Sequence, residues 1–263
     1  MGDAGANRVG GRVPWDLLPL LPLGILAGLL SGLLGIGGGL IFSPLLLWIG
    51  LSPHQALATS TLAILPTTMG GSWAHLRSGQ VPTPALGSIC GGAIAGSLVF
   101  SHAGNGLQGW QLLALQGLMY AVITVVIRPP QDQPEALAAL PLAGLAAVGL
   151  VAGWSSGLLG VGGGLVMVPL MVQGLKLRVY QAIRLSTLAV CASAATASLT
   201  FWSDGRADLG IGLLLGGTAA VASQWAAARL QRVSESQLVW LLRALCALLA
   251  VDALRRAVQL LLG

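Results

Sequence analysis

The sequence predicts an all-α, polytopic membrane protein: a transmembrane helix bundle of about eight spans, built as two sequence-related halves that each contain a glycine-broken helix. Three observations predict it. Charged residues make up 8% of the chain and hydrophobic ones 55%, whereas a soluble domain carries charges near ~25%. The charges cluster at the ends of apolar runs of about 20 residues, the length a helix needs to cross roughly 30 Å of hydrocarbon. These runs lack the alternation of a barrel strand, the other structure that satisfies its backbone in lipid.

The third observation is a motif written twice. It first reads Ser31-Gly-Leu-Leu-Gly-Ile-Gly-Gly-Gly39-Leu-Ile-Phe-Ser-Pro44, and later Ser156-Gly-Leu-Leu-Gly-Val-Gly-Gly-Gly164-Leu-Val-Met-Val-Pro169. Downstream, His54-Gln-Ala-Leu-Ala-Thr-Ser-Thr-Leu-Ala63 is answered by Tyr180-Gln-Ala-Ile-Arg-Leu-Ser-Thr-Leu-Ala189. Ala74-His-Leu-Arg-Ser-Gly79 is likewise answered by Thr200-Phe-Trp-Ser-Asp-Gly205.

Taken in order, apolar stretches fall at 17–50, 54–76, 82–101, 107–127, 137–173, 180–202, 207–229 and 237–262. Residues 1–16 read as an N-terminal cytoplasmic tail, 17–127 as the first transmembrane repeat, 128–136 as a polar, proline-rich linker, and 137–263 as the second repeat. Arg8 and Arg12 precede an apolar run without a small-residue cleavage site, so the run is expected to stay as a span. Position 6 is not Ser or Thr, which argues against myristoylation.

The first and fifth stretches are too long for one straight span. Each holds a glycine cluster with a proline five residues beyond the last glycine, and both residue types interrupt helices. Unwound backbone at membrane depth survives only inside protein or against a wet cavity. Counting each long stretch as one crossing gives eight spans. Arg8, Arg12, Arg77, Arg128, Arg206, Arg255 and Arg256 then share the side of both termini, which the basic bias places in the cytoplasm, with the protein multi-pass in the plasma (inner) membrane. If each long stretch crosses twice, the halves become inverted and the bias disappears.

The net charge of +5 sits singly at segment ends, which points to headgroup contact rather than nucleic acid. Cys90, Cys191 and Cys246 lack paired spacing, and the histidines lack ligand spacing, so neither disulfides nor a metal site are expected. No cofactor is called for. A dinucleotide fingerprint is excluded because Gly35-x-Gly37-Gly38-Gly39 lacks the final glycine and follows no strand. There is no Walker lysine, so ATP is not the energy source. No Ser/His or paired-carboxylate constellation recurs, so the chain is not read as an enzyme.

Gly24/Gly28/Gly32 and Gly149/Gly153/Gly157 carry the spacing that lets membrane helices approach closely. The triple glycines Gly37, Gly38, Gly39 and Gly162, Gly163, Gly164 admit two readings. One is a purely structural break. The other is an anion site made of successive N–H groups at a helix start. The hydroxyls Thr59, Ser60, Thr61 and Ser186, Thr187 occupy matching places, either bonding their own preceding turn or lining a site. Thr67, Thr68 and Ser72 extend that polar face. Arg184 is the charge seated among these hydroxyls, and it either contacts substrate or snorkels to the interface. Asp252 is expected to pair with Arg255 or Arg256. His75, the best-placed titratable group, reads more simply as interfacial, and proton coupling stays open because no residue demands it. Trp48, Trp73, Trp110, Trp154, Trp202 and Trp225 read mostly as interfacial anchors.

The doubled Ser-Gly-Leu-Leu-Gly-[Ile/Val]-Gly-Gly-Gly-Leu with its proline, followed by Gln-Ala-x-x-x-Ser-Thr-Leu-Ala, resembles the TauE/SafE sulfite exporter family, grouped with toluene-sulfonate uptake permeases. The resemblance spans nearly the whole chain. It implies secondary transport of sulfite, sulfonates or related sulfur-containing anions, with the family's glycine motifs on Gly35 to Gly39 and Gly160 to Gly164. Its polar helix motifs fall on Thr59 to Thr61 and Ser186 to Thr187. The expected partners are a small anionic substrate and membrane lipid. A passive channel, or less plausibly a membrane scaffold, is the alternative.

Overall fold

Both long apolar stretches break at their glycines. The computed structural model describes residues 20–79, 81–103, 106–127 and 141–262. The expected tail over 1–16 and linker over 128–136 lie outside these. The first stretch becomes α1 (Leu20–Leu34) and α2 (Gly39–Trp48). The fifth becomes α6 (Leu142–Leu159) and α7 (Gly164–Pro169), the latter widening into a π turn, Leu170–Gly174. Pro169 has no N–H to continue the α ladder, which is where the register widens.

The other stretches are single helices: α3 (Pro53–Arg77), α4 (Thr83–Ala103), α5 (Gly109–Val126), α8 (Val179–Ser203), α9 (Leu209–Ala227) and α10 (Glu235–Leu262). No strand occurs among the described residues. Starts are set by local chemistry. Ser52 and Gln55 form a capping box ahead of α3, with Pro53 in the first turn. The Asp208 carboxylate accepts the Ile211 N–H at the start of α9. Six helices (α4, α5, α6, α8, α9 and α10) are long and apolar enough to cross a membrane. α3 matches α8 in length, at 25 residues, but is not apolar enough to join that set.

Small residues set the packing. A Cβ added to Gly24, Gly28 or Gly32 of α1 would sit 2.3, 2.2 and 2.4 Å from Thr218 Oγ1, the Ala219 carbonyl and the Ser223 carbonyl of α9. Gly149, Gly153 and Gly157 of α6 meet the carbonyls of Ile89, Ala93 and Ser97 of α4 in the same way. Both glycine stripes are therefore packing surfaces, as their spacing predicts.

These contacts also fix direction. Residue numbers rise together along α1 and α9 and along α6 and α4, so each pair is parallel. α3 is parallel to α9 as well, with Gly212 against Leu62, Gly216 against Ala63 and Gly70 against Ala220. α8 is parallel to α4, where Ser97 bonds the Ser193 carbonyl and Ser101 bonds Thr200. Short loops reverse the chain between α3 and α4 and between α8 and α9, so α3 and α8 run antiparallel.

α8 is the most enclosed of the candidate spans, and α3 and α8 form the centre. Val99, Val125, Val221 and Val251 point outward, each more than 60% exposed. That apolar girdle suits lipid and would be an aggregation liability in water. Trp48, Trp73, Trp202 and Trp225 are exposed near helix ends, as expected of anchors, whereas Trp154 packs against the core.

Gly28→Val should cost roughly 1–3 kcal/mol or more through overpacking against α9. Gly87→Val should cost little, since nothing lies within 4 Å of a Cβ there. Melting temperatures of the two variants in detergent check this contrast.

Candidate functional site

The two glycine turns meet each other. Gly35, Gly37 and Gly38 adopt φ values of +69°, +80° and +82°, and Gly160 and Gly162 adopt +60° and +78°, a region that favours glycine. A Cβ on Gly39 would lie 2.2 Å from the Val161 carbonyl oxygen, and one on Gly164 would lie 2.2 Å from the Gly35 carbonyl oxygen. Backbone presses on backbone. Ile64 and Val190, at matching positions of α3 and α8, close over Gly37 and Gly162 from both sides. Gly163 differs from Gly38, having right-handed backbone with φ of −63°, and it packs on the Ala152 carbonyl of α6.

The hydroxyls divide by what they touch. Ser186 Oγ donates to the Gly35 carbonyl at 2.8 Å and Ser60 Oγ to the Gly39 carbonyl at 3.5 Å, so both brace the first turn. Thr61 and Thr187 donate to the carbonyls of Leu57 and Ile183, four residues back, which is the intrahelical bonding weighed in the sequence. Thr59 is turned away from the glycines, its Oγ1 accepting the Asp208 N–H at 2.9 Å at the start of α9. Of the five candidate hydroxyls, the two serines hydrogen-bond the first glycine turn, and Thr61 Oγ1 lies 2.9 Å from a Cβ placed on Gly160 of the second.

Arg184 is covered by protein, at 9% exposure. Burying an arginine at membrane depth costs at least ~2.5–3.5 kcal/mol without compensation. Its charge reaches His75 on α3, which is 2% exposed rather than interfacial, and the His75 Nε2 has no hydrogen-bond partner. Asp252 pairs with both Arg255 and Arg256, at 3.5 and 2.9 Å.

A polar lane runs between α3 and α8 beside these groups. Thr68, Ser72 and His75 recur on α3 at helical spacing, as Arg184, Thr187 and Cys191 do on α8. The antiparallel pairing sets Thr68 and Ser72 beside the Cys191 thiol, Gly71 beside Thr187, and His75 at the level of Arg184. A Cβ on Gly71 would be 3.1 Å from Thr187 Cγ2 and 2.9 Å from Ser223 Oγ of α9. The hydroxyl oxygens of Ser31, Ser72 and Ser223 are buried without a nitrogen or oxygen partner, and such a group costs ~1–3 kcal/mol when left unsatisfied. Sequence reasoning singled out His75 but read it as interfacial, and it passed over the hydroxyls of Ser31 and Ser223. The i, i+4, i+7 spacing of Thr68, Ser72 and His75 was the available signal.

Two pockets flank the glycine junction. One is lined by His54, Leu57, Ala58, Leu112, Phe201 and Arg206 among others. The other is lined mainly by apolar side chains including Leu34, Val168, Ile183, Leu238 and Leu242. Leu57 and Ile183 hold matching places in the two halves. Their carbonyls press on Gly160 and Gly35, at 2.4 and 2.7 Å from an added Cβ. Among the described residues no group of His, Cys, Asp and Glu could hold a metal ion.

The sulfite exporter TauE/SafE family profile matches residues 20–253. The chain belongs to the TauE/SafE family. It is a membrane transporter, not an enzyme. A "Probable membrane transporter protein" of Xylella fastidiosa is 30% identical over 185 residues, covering 66% of this chain and 70% of that protein. The "Probable membrane transporter protein YunE" of Bacillus subtilis is 25% identical over 217 residues, covering 72% and 79%. "Sulfite exporter TauE/SafE family protein 1" of Arabidopsis thaliana is 51% identical over 57 residues, or 22% of this chain and 12% of that protein. No solved structure matches. In this TauE/SafE protein Gly39→Ala and Gly164→Ala should each force the turns apart and abolish transport. Gly217→Ala, with nothing within 4 Å, should transport normally in vesicles of matched protein content.

Proposed function

We propose that the protein is a secondary transporter of the plasma membrane. On this reading it moves sulfite, a sulfonate or a related small sulfur-containing anion by alternating access around the junction of two inverted halves. The observation that carries this reading is the pair of pockets placed on opposite sides of the tightly closed glycine junction. Leu57 and Ile183 lie near the starts of antiparallel α3 and α8 and each lines one pocket, so the pockets belong to opposite faces. A carrier between two openings needs this: a closed centre with an approach from each side.

The helix directions support the inverted count over eight co-oriented spans. α1 enters alongside α9, and α2 returns to end four residues before α3 begins. α6 and α7 do the same from the other face. Each half then contributes three crossings and one returning helix pair. Both ends of the described chain share one face. Arg206, Arg255 and Arg256 lie on it, against Arg77, Lys176, Arg178, Arg229 and Arg232 opposite. The basic bias that placed the termini in the cytoplasm therefore has no base in this arrangement.

The sulfur-containing substrate rests on the family and on the names of the Arabidopsis relatives. Purified protein in liposomes should take up sulfite, a sulfonate or thiosulfate saturably and exchange it across the membrane. Uptake of none of these overturns the substrate class, and linear flux without exchange points to a passive facilitator. Topology has its own check. With Cys90, Cys191 and Cys246 replaced, Ser78→Cys and Ser203→Cys should label from opposite faces with an impermeant thiol reagent. Labelling from one face would sink the inverted arrangement.

A further inference from the structure

The two halves match in outline but differ sharply in the chemistry between α3 and α8. Thr68, Ser72 and His75 of α3 correspond in the repeat to Ala194, Ser198 and Phe201 of α8. Arg184, Thr187 and Cys191 of α8 correspond to Ala58, Thr61 and Leu65 of α3. On the side of α3's start, Ala58, Ala197 and Phe201 pack as a dry apolar cluster, with the Arg206 guanidinium stacked 4.6 Å above the Phe201 ring. At these three places one face carries only apolar side chains, with His54 and Arg206 lining the pocket beside them, where the other carries Arg184, Gly71 and His75.

The serines around each place differ in the same direction. Ser97 and Ser156, the counterparts of Ser223 and Ser31, are satisfied by Ser193, through its carbonyl at 3.0 Å and its hydroxyl at 3.3 Å. Ser31, Ser72 and Ser223 keep buried oxygens with no such bond. The guanidinium donates without accepting, and the hydroxyls and the imidazole nitrogen can each donate a proton. Such a set matches an oxyanion rather than a cation.

Resting on the transport reading above, the geometry points to an anion site on one face only. Arg184 supplies the charge, and Ser72, Ser223 and His75 supply hydrogen bonds to a small oxyanion of the sulfite type. The lane from this site leads inward past Thr187, Ser72 and Thr68, whose methyl carbon lies 3.2 Å from a Cβ placed on Gly37. Substrate is held beside the first glycine turn before the junction opens. The glycines act as the moving part, and the side chains of α3, α8 and α9 do the binding.

Binding is read on the purified full-length protein by calorimetry with sodium sulfite, with chloride as the control anion. Wild type should bind sulfite saturably. Ser72→Ala and Ser223→Ala should each weaken binding about five- to twentyfold, and Arg184→Gln about a hundredfold. Arg184→Lys should fall between, keeping the charge without the guanidinium fork. Ser198→Ala, the counterpart of Ser72 on the other face, should bind as wild type. Wild-type affinity in Arg184→Gln or in the Ser72→Ala/Ser223→Ala pair overturns the site, as does failure of the wild type to bind sulfite.

Liposome flux separates the two readings. Uptake with unchanged KM in Arg184→Gln removes the site and leaves the transporter. Arg184-dependent binding without any flux of sulfite, sulfonate or thiosulfate removes the transport reading and leaves the site.

Discussion

Contact between two stretches of bare backbone governs this structure. The carbonyls of Gly35 and Val161 occupy space that any side chain on Gly164 or Gly39 would need. In hydrocarbon, peptide groups that leave a helix must be sheltered by protein. Here each unwound turn is sheltered by the other, with Ile64 and Val190 closing the sides. The glycine stripes of α1 and α6, the burial of α3 and α8 and the outward valines of the peripheral helices follow from holding that meeting point at the centre.

Much of the fold was legible in the chain. The apolar stretches, the breaks at the glycines, the close packing of the Gly-xxx-Gly stripes and the pairing of Asp252 with its neighbouring arginines all depend on local chemistry, which sequence reports directly. The direction of the helices was not legible, because parallel and inverted halves have the same hydropathy. Nor was the facing of individual hydroxyls. Thr59, Ser60 and Thr61 are consecutive, yet they answer to the α9 start, the first glycine turn and their own helix respectively. Which neighbour each meets is decided by helix rotation, a property of the whole packing. His75 was misplaced for a related reason. It lies near a helix end yet is buried, and burial by a distant segment leaves no local trace.

On the inverted-repeat reading, a symmetric scaffold also acquires a polarity. Backbone features come in pairs: two turns, two glycine stripes, two long central helices of 25 residues. Side-chain chemistry does not, since Arg184 and His75 face Ala58 and Phe201 across the pseudo-symmetry. A rearrangement that exchanges the two faces can therefore use a paired backbone while presenting different surfaces to solute on each side.

The parallel packing of α1 on α9 and of α6 on α4 means that, on the two-half reading, each half donates its first helix to the other. During synthesis the groove formed by Gly24, Gly28 and Gly32 has no mate until the ninth helix has emerged, nearly two hundred residues later. At ordinary elongation rates that interval is on the order of ten seconds or more. The early helices must wait in the bilayer, threaded but unassembled, and the central junction cannot form before the chain is almost complete. Neither half alone is a smaller version of the whole.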